Sequence, residues 1–179
     1  MRRLLARVDP AQRLDQGAVL RALEQHYAAH AGSAAQPYPG CVETLRQLRA
    51  AGVRLACVTN KEQRHAQRVL DATALAPYFD LLVGGDTLAW KKPDARVLRH
   101  VVAALGSLPA HAAHVGDSQT DLAAARNAGV ADWAVPWGYN AGTPIAQAQP
   151  TRLFDCFAAI AEAALAPSRC PCAAPPAFT

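Results

Sequence analysis

Between residues 114 and 121 the chain reads His114-Val115-Gly116-Asp117-Ser118-Gln119-Thr120-Asp121. This order predicts the end of a buried strand, a tight turn and the first turn of a helix. Ser118 is placed to cap that helix, and Asp121, three residues later, can complete a capping box. Gly129 supplies the signal that ends the helix. The segment therefore predicts a strand-turn-helix unit with a carboxylate on each side of the cap.

Asp117 and Asp121 are one helical turn apart, so both carboxylates can face the same crevice. Two carboxylates at one mouth repel each other unless a cation lies between them, and hard oxygen ligands suit Mg²⁺. A purely structural capping box is the alternative explanation, and taken alone it is the better one. The other motifs of the chain are needed to distinguish a metal site from a purely structural cap.

On both sides of this segment, short apolar runs alternate with amphipathic ones, which is typical of a doubly wound α/β fold with a parallel sheet. The pattern predicts strands at 53–58, 79–83, 112–115 and 131–135, and helices at 16–31, 41–51, 62–74, 93–105, 118–128 and 155–165. In such sheets ligands bind beyond the carboxyl ends of the strands. That rule places Thr59, the loop 85–92 and Asp117 on one rim.

Composition narrows the class of protein. The chain has 179 residues, of which 51% are hydrophobic, enough for one domain with a sizeable core. The net charge is +4, but the basic residues are scattered, which argues against a nucleic-acid partner. No apolar run has the length of a membrane span, and the N-terminus does not read as a signal peptide.

Cysteine usage predicts a reduced, cytoplasmic protein. The five cysteines are an odd number, and Cys57 lies in an apolar strand, so a disulfide framework is not indicated. Cys170 and Cys172 could bind metal or cycle between redox states. They lie in a Pro/Ala-rich stretch, 167–179, without a second cysteine pair, so an inert tail is the favoured interpretation.

Two groups on the predicted rim suit an anion. The Thr59 hydroxyl and the amides of Asn60 and Lys61 follow a strand, an arrangement that holds an oxyanion such as phosphate. A plain N-cap role for Thr59 is the alternative. Pro93 restrains Lys92 to extended geometry, so Lys92 can reach back over the strand ends and neutralise phosphate. We interpret Lys91 as a surface residue.

One component of a phosphoryl-transfer site has no candidate. Transfer to water by such a site needs a carboxylate nucleophile and a second carboxyl group acting as acid and base. If both follow one strand, they must be two residues apart to share a face. No two of the 14 acidic residues have that spacing.

Five motifs in this order resemble the haloacid dehalogenase superfamily of phosphatases, most closely the phosphoglycolate phosphatase branch. They are Cys-Val-Thr59-Asn60-Lys61, Gly-Gly-Asp86, Lys92-Pro93-Asp94, Val-Gly-Asp117-Ser-Gln-Thr-Asp121 and Trp-Gly138-Tyr-Asn140. The resemblance implies that Thr59 and Lys92 are catalytic and, with Asn60, bind phosphate. It also implies that Asp117 and Asp121 form the Mg²⁺ motif, Asp117 as the direct ligand. The family's first motif, an Asp-x-Asp after its first strand, has no match here, so no nucleophile is assigned.

The same resemblance divides the chain into three parts. Residues 1–35 resemble the last helices of the family's helical cap, 36–166 the α/β core without its first strand, and 167–179 form the tail. In the family that strand lies between the strands that carry Thr59 and Asp117, so two strand edges face a gap. We expect the sheet to close over the gap, the fold to be marginal, or the protein to be longer upstream.

The expected function is Mg²⁺-dependent hydrolysis of small phosphomonoesters, through an aspartyl-phosphate in the full-length family, with phosphoglycolate as the reference substrate. The chain as written is expected to be an inactive, truncated version. The alternative is a non-catalytic module that binds phosphate and Mg²⁺ or a protein partner. A response-regulator receiver is a weaker alternative, since receivers need an acidic cluster after the first strand. Neither the exact substrate nor the oligomeric state is predicted.

Overall fold

A computed structural model of the chain describes residues 15–30, 35–140 and 142–166. The helices are α1 (Gln16–His30), α2 (Cys41–Ala50), α3 (Gln63–Ala72), α4 (Ala95–Ala104), α5 (Gln119–Ala128) and α6 (Phe157–Leu165). The strands are β1 (Ala56–Val58), β2 (Leu81–Val83), β3 (Ala113–Gly116), β4 (Ala131–Ala134) and β5 (Arg152–Leu153). Short 3-10 turns lie at Ala76–Tyr78, Pro109–His111 and Ile145–Ala148.

The predicted α/β class is confirmed, with most elements shorter than predicted and β3 shifted by one residue at unchanged length. The predicted helix start at Pro93 is wrong, because the Asp94 carboxylate accepts the Arg96 N–H and caps a helix that begins at Ala95. The strand β5 was not predicted. Of the three predicted parts, the first lies only partly within the described residues and the tail 167–179 lies wholly outside them.

All strand pairs are parallel, but the strands form two sheets rather than one. β1 pairs with β2, while β3, β4 and β5 form a second sheet in that order. Within residues 15–30, 35–140 and 142–166, no strand lies between β1 and β3, and the sheet does not close over the predicted gap. The facing edges border a groove with a cavity volume of about 1780 Å³.

Backbone direction shows which groups face this groove. Thr59 N–H donates to Val83 on the β2 side, and Gly116 C=O accepts from Val135 on the β4 side. Because the polar groups of successive residues in a strand point to opposite edges, those of Val58 and Val115 point into the groove. Val115 also stays 38% exposed, unusual for an apolar residue of an α/β strand. The groove is thus an open, partly apolar slot between two strand edges.

Pairs of helices hold the two sheets together. Leu98 and Val102 of α4 pack against three alanines of α5, Ala124, Ala125 and Ala128. Elsewhere α2 packs against α6. Within the second sheet, the Trp133 and Phe154 rings contact each other in a tilted arrangement, with centroids 5.1 Å apart. The two helix contacts bury apolar area on the helices that flank the groove and so fix the position of its walls.

Two further observations bear on the sequence predictions. No helix in the described ranges is both long and apolar enough to cross a membrane. Cys41, Cys57 and Cys156 are free thiols. Cys170 and Cys172 lie outside the described residues.

Candidate functional site

Asp121 lies where helix α5 begins, and the predicted capping box is present. The Asp121 N–H donates to Ser118 Oγ at 3.3 Å, and the Ser118 N–H donates to Asp121 Oδ2 at 3.2 Å. The Ser118 hydroxyl also donates to Oδ2, at 2.6 Å. Each bond is local in sequence, which is why the cap could be predicted. One carboxylate oxygen of Asp121 is thereby committed to the helix.

Lys92 takes the other oxygen and crosses the groove. Its Nζ donates to Asp121 Oδ1 at 2.6 Å and to the Val58 carbonyl at 2.6 Å. The side chains of Lys92 and Asp121 are only 8% and 10% exposed. Val58 belongs to β1 of the first sheet, and Asp121 lies on α5, the helix that follows β3 of the second sheet. This single ammonium group therefore links the two sheets at their carboxyl ends.

The surroundings of Asp121 favour its charged form. Burial by itself would raise its pKa. The hydrogen bond from His114, whose Nε2 lies 3.5 Å from Oδ1, together with the charge and hydrogen bond of Lys92 and the bond from Ser118, lowers the pKa well below its usual range. Asp121 is therefore a carboxylate at neutral pH.

Asn60 holds the backbone of Lys92 with both ends of its side-chain amide. Its Nδ2 donates to the Lys92 carbonyl at 2.9 Å, and its Oδ1 accepts the Lys92 N–H at 3.0 Å. The Lys92–Pro93 peptide bond is cis. Sequence reasoning assigned Asn60 to phosphate and missed this contact. A phosphate role for its own N–H stays a prediction.

Thr59 follows β1 on the same rim. Its Oγ1 accepts the Lys61 N–H at 3.1 Å, which closes a tight turn. The N-cap alternative is wrong, because helix α3 begins at Gln63 with Glu62 at the cap position. A hydroxyl that accepts one hydrogen bond still has its own O–H to donate. Thr59 therefore keeps a donor for an anion, while the Lys61 N–H is already engaged.

Asp117 is held by the loop that follows β4. Its Oδ2 accepts the N–H of Tyr139 at 2.7 Å. Sequence reasoning gave no role to Gly138 or Tyr139 beyond the family motif. A signal was available, since β4 is parallel to β3 and the loop after it must reach the same rim.

The predicted site residues line one groove, namely Thr59, Asn60, Lys92, Asp117 and Asp121. Asp117 and Asp121 are the acidic residues among the described groove walls. Their roles toward phosphate and metal stay predictions.

The carboxylate oxygens of Asp117 and Asp121 can be compared with the ligands that Mg²⁺ needs. Both oxygens of Asp121 bind protein groups, whereas Oδ1 of Asp117 takes no hydrogen bond from the described residues. The described ranges contain no cluster of three His, Cys, Asp or Glu side chains. Mg²⁺ in phosphate sites typically takes one or two protein carboxylates and fills its shell with water and substrate oxygens. Asp117 fits such an ion as a direct ligand, whereas both oxygens of Asp121 are already engaged by Lys92 and Ser118.

A family model described as haloacid dehalogenase-like hydrolase matches residues 1–135. The chain belongs to the haloacid dehalogenase-like hydrolases. This membership confirms the resemblance inferred from the motifs.

Several relatives within this hydrolase family are phosphoglycolate phosphatases. The one from Thiobacillus denitrificans is 40% identical over 124 residues, covering 69% of this chain and 55% of the relative. Phosphoglycolate phosphatase 1 from Pseudomonas aeruginosa is 45% identical over 118 residues, covering 66% and 43%. The chain thus spans about half the length of the curated relatives it matches.

The fold has a close solved counterpart. The crystal structure of a predicted phosphoglycolate phosphatase from Haemophilus somnus is 36% identical, with a TM-score of 0.77 over 80% of this chain and 64% of that chain. The α/β fold of this chain is therefore that of a haloacid dehalogenase-like hydrolase.

Proposed function

We propose that the rim of the groove is the phosphate-binding end of a Mg²⁺-dependent phosphatase for small phosphomonoesters, of the phosphoglycolate phosphatase type. The observation that carries the proposal is the buried contact between Lys92 and Asp121 at the carboxyl ends of both sheets. A buried ion pair adds little net stability, so retaining one at a rim points to a functional use. The phosphoglycolate phosphatase relatives support the substrate class.

Each rim residue has a distinct task in this proposal. An ammonium group has three N–H donors, and Lys92 spends two on Val58 and Asp121, which leaves one for a phosphate oxygen. The Thr59 O–H donates to a second phosphate oxygen. Asp117 holds Mg²⁺, which neutralises phosphate charge when bound. Asp121 holds the Lys92 ammonium group in position, and Asn60 fixes the Lys92 backbone.

The sequence of this chain carries no carboxylate pair two residues apart, so we assign no residue to the roles of nucleophile and acid/base. We therefore expect it to bind phosphate together with Mg²⁺ but not to release phosphate from an ester.

Calorimetry with inorganic phosphate and Mg²⁺ tests the binding. Lys92→Met should weaken phosphate binding at least tenfold and Asp117→Ala should abolish its Mg²⁺ dependence, because each removes a direct contact. Lys91→Met, which changes the exposed neighbouring lysine, is the matched control and should leave binding unchanged. No phosphate binding by the unmodified chain at millimolar Mg²⁺ would contradict the proposal. A Mg²⁺-dependent release of phosphate from phosphoglycolate that Asp117→Ala abolishes would contradict the expected lack of turnover.

A non-catalytic binding module is the second candidate. It is favoured by the exposed Val115 and by the facing edges of β1 and β3, which have no strand partner among the described residues. Such edges accept an extended segment by β-augmentation. Hydrogen exchange at the backbone N–H groups of Val58 and Val115 tests it. Slower exchange on adding an extended apolar peptide would support the module, and unchanged exchange would count against it.

A further inference from the structure

The loop after β4 contacts Asp117 through its backbone rather than through a side chain. The Tyr139 N–H donates to Asp117 Oδ2 at 2.7 Å, while the Tyr139 residue is 83% exposed. A hydrogen bond to an ionised carboxylate is shorter and roughly twice as strong as one between neutral groups. The bond fixes one of the two oxygens of Asp117, and the identity of the side chain at 139 plays no part in it.

Gly138 makes this approach possible. A Cβ built at Gly138 would overlap Oδ2, Cβ and Cγ of Asp117, so any side chain there would displace the carboxylate. Gly138 is not in the left-handed region, where glycine would be favoured for its backbone angles alone. The glycine is therefore required by the closeness of Asp117.

The loop is itself anchored on its other side. The Tyr38 hydroxyl donates to the Trp137 carbonyl at 3.1 Å, and the Trp137 ring packs on Phe157 with centroids 5.4 Å apart. Trp137 thus holds the residue before Gly138 in place. Two contacts of Trp137, one through its carbonyl and one through its ring, thus support the segment that presents the Tyr139 N–H to Asp117.

We propose that Gly138 and the Tyr139 N–H are positioning groups that aim Asp117 at Mg²⁺. By occupying Oδ2, they leave Oδ1 as the oxygen available to the cation. This inference rests on the proposed function, which makes Asp117 the metal ligand. Groups that orient a metal ligand typically affect metal affinity 10–100-fold.

Mg²⁺ calorimetry on three variants of the full chain tests the inference. Tyr139→Pro removes the N–H, and Gly138→Ala pushes the carboxylate aside, so each should weaken Mg²⁺ binding about 10–100-fold. Tyr139→Ala keeps the N–H and is the matched control, which should bind as the unmodified chain does. Circular dichroism and thermal unfolding identify any variant that has lost its fold, and two independent variants keep the test valid if one of them has.

A second measurement, made without metal, tests the contact between the Tyr139 N–H and Asp117. In amide NMR spectra without Mg²⁺, the Tyr139 N–H should resonate downfield and move upfield in Asp117→Ala. A Tyr139 resonance that Asp117→Ala leaves unchanged would overturn the inference.

The outcomes separate this inference from the proposed function. If the unmodified chain binds Mg²⁺ and Asp117→Ala does not, while Tyr139→Pro and Gly138→Ala bind normally, the positioning role is wrong and the metal site stands. If the unmodified chain does not bind Mg²⁺ at all, both are wrong. Loss of affinity in Tyr139→Pro and Gly138→Ala, with Tyr139→Ala unchanged, supports both.

Discussion

Replacing Lys92 with methionine should lower the free energy of unfolding by about 3 kcal/mol. The substitution keeps most of the apolar stem but removes an ammonium group that donates at 2.6 Å to both Asp121 and Val58. Hydrogen bonds to charged groups contribute about 1.5–3 kcal/mol each, and removing one partner of a fully buried pair costs about 3–5 kcal/mol. Once the ammonium group is removed, water in the groove can reach the Asp121 carboxylate. We therefore expect a cost at the lower end of that range.

The assay is urea unfolding followed by circular dichroism at neutral pH. With a denaturant slope of about 2 kcal/mol/M, the midpoint should fall by about 1.5 M. Lys91→Met is the matched control, because Lys91 is exposed, and it should change stability by less than about 0.5 kcal/mol. The loss should shrink on acidification, because in Lys92→Met the Asp121 pKa rises and the folded variant takes up a proton that the wild type does not.

A double-mutant cycle provides the refutation. If Lys92 acts mainly through Asp121, the double variant Lys92→Met/Asp121→Asn should lose less stability than the two single variants together. The coupling should be at least about 1.5 kcal/mol. A coupling below about 0.5 kcal/mol would show that the 2.6 Å contact does not join the two sheets energetically.

Three further expectations concern other parts of the chain. Asp132→Ala should lower the free energy of unfolding in urea by about 2 kcal/mol, because the buried Asp132 carboxylate accepts a hydrogen bond from Arg126 at 2.7 Å. A loss below about 0.5 kcal/mol would be inconsistent with this role. Burial raises the pKa of the Cys57 thiol, so little thiolate forms at pH 8 and iodoacetamide should label the exposed Cys156 well before Cys57. Peptide mass spectrometry measures both rates, and equal labelling would argue against the raised pKa of the half-buried Cys57 thiol. Gly129 has φ 76°, in the left-handed region. Gly129→Ala should therefore lower the free energy of unfolding by about 1 kcal/mol and the Tm in calorimetry by about 2–4 °C. An unchanged Tm would mean that the backbone relaxes at this position.

Local features were predictable from the sequence. The Ser118 cap and the Asp121 carboxylate interact within one helical turn, so residue type and spacing are sufficient to predict them. The rim position of Thr59 follows from the parallel order of the strands. The strand Arg152–Leu153 could not be predicted, because two residues show no alternation and their extended form depends on pairing with β4.

Contacts between distant segments could not be read from the sequence. The Asn60 amide binds the backbone of a residue 32 positions away, and neither partner carries a pattern that reveals the other. The parallel strands indicate that the loop after β4 reaches the rim, but the Tyr139 N–H is a main-chain donor that any residue except proline would supply, so residue type does not reveal its contact with Asp117. Sequence reasoning therefore located the site but missed the groups that hold its side chains in place.

The separation of the two sheets determines which contacts hold the two halves of the fold together. Within the described chain β1 and β3 share no ladder hydrogen bonds, so cohesion across the groove depends on side chains and on the helix pairs α4–α5 and α2–α6. At the carboxyl end one nitrogen atom, Nζ of Lys92, joins the Val58 carbonyl to the Asp121 carboxylate. The separation of the two sheets at that end is therefore limited to the reach of two hydrogen bonds that share a donor atom, and a wider separation would break these bonds before any strand pairing.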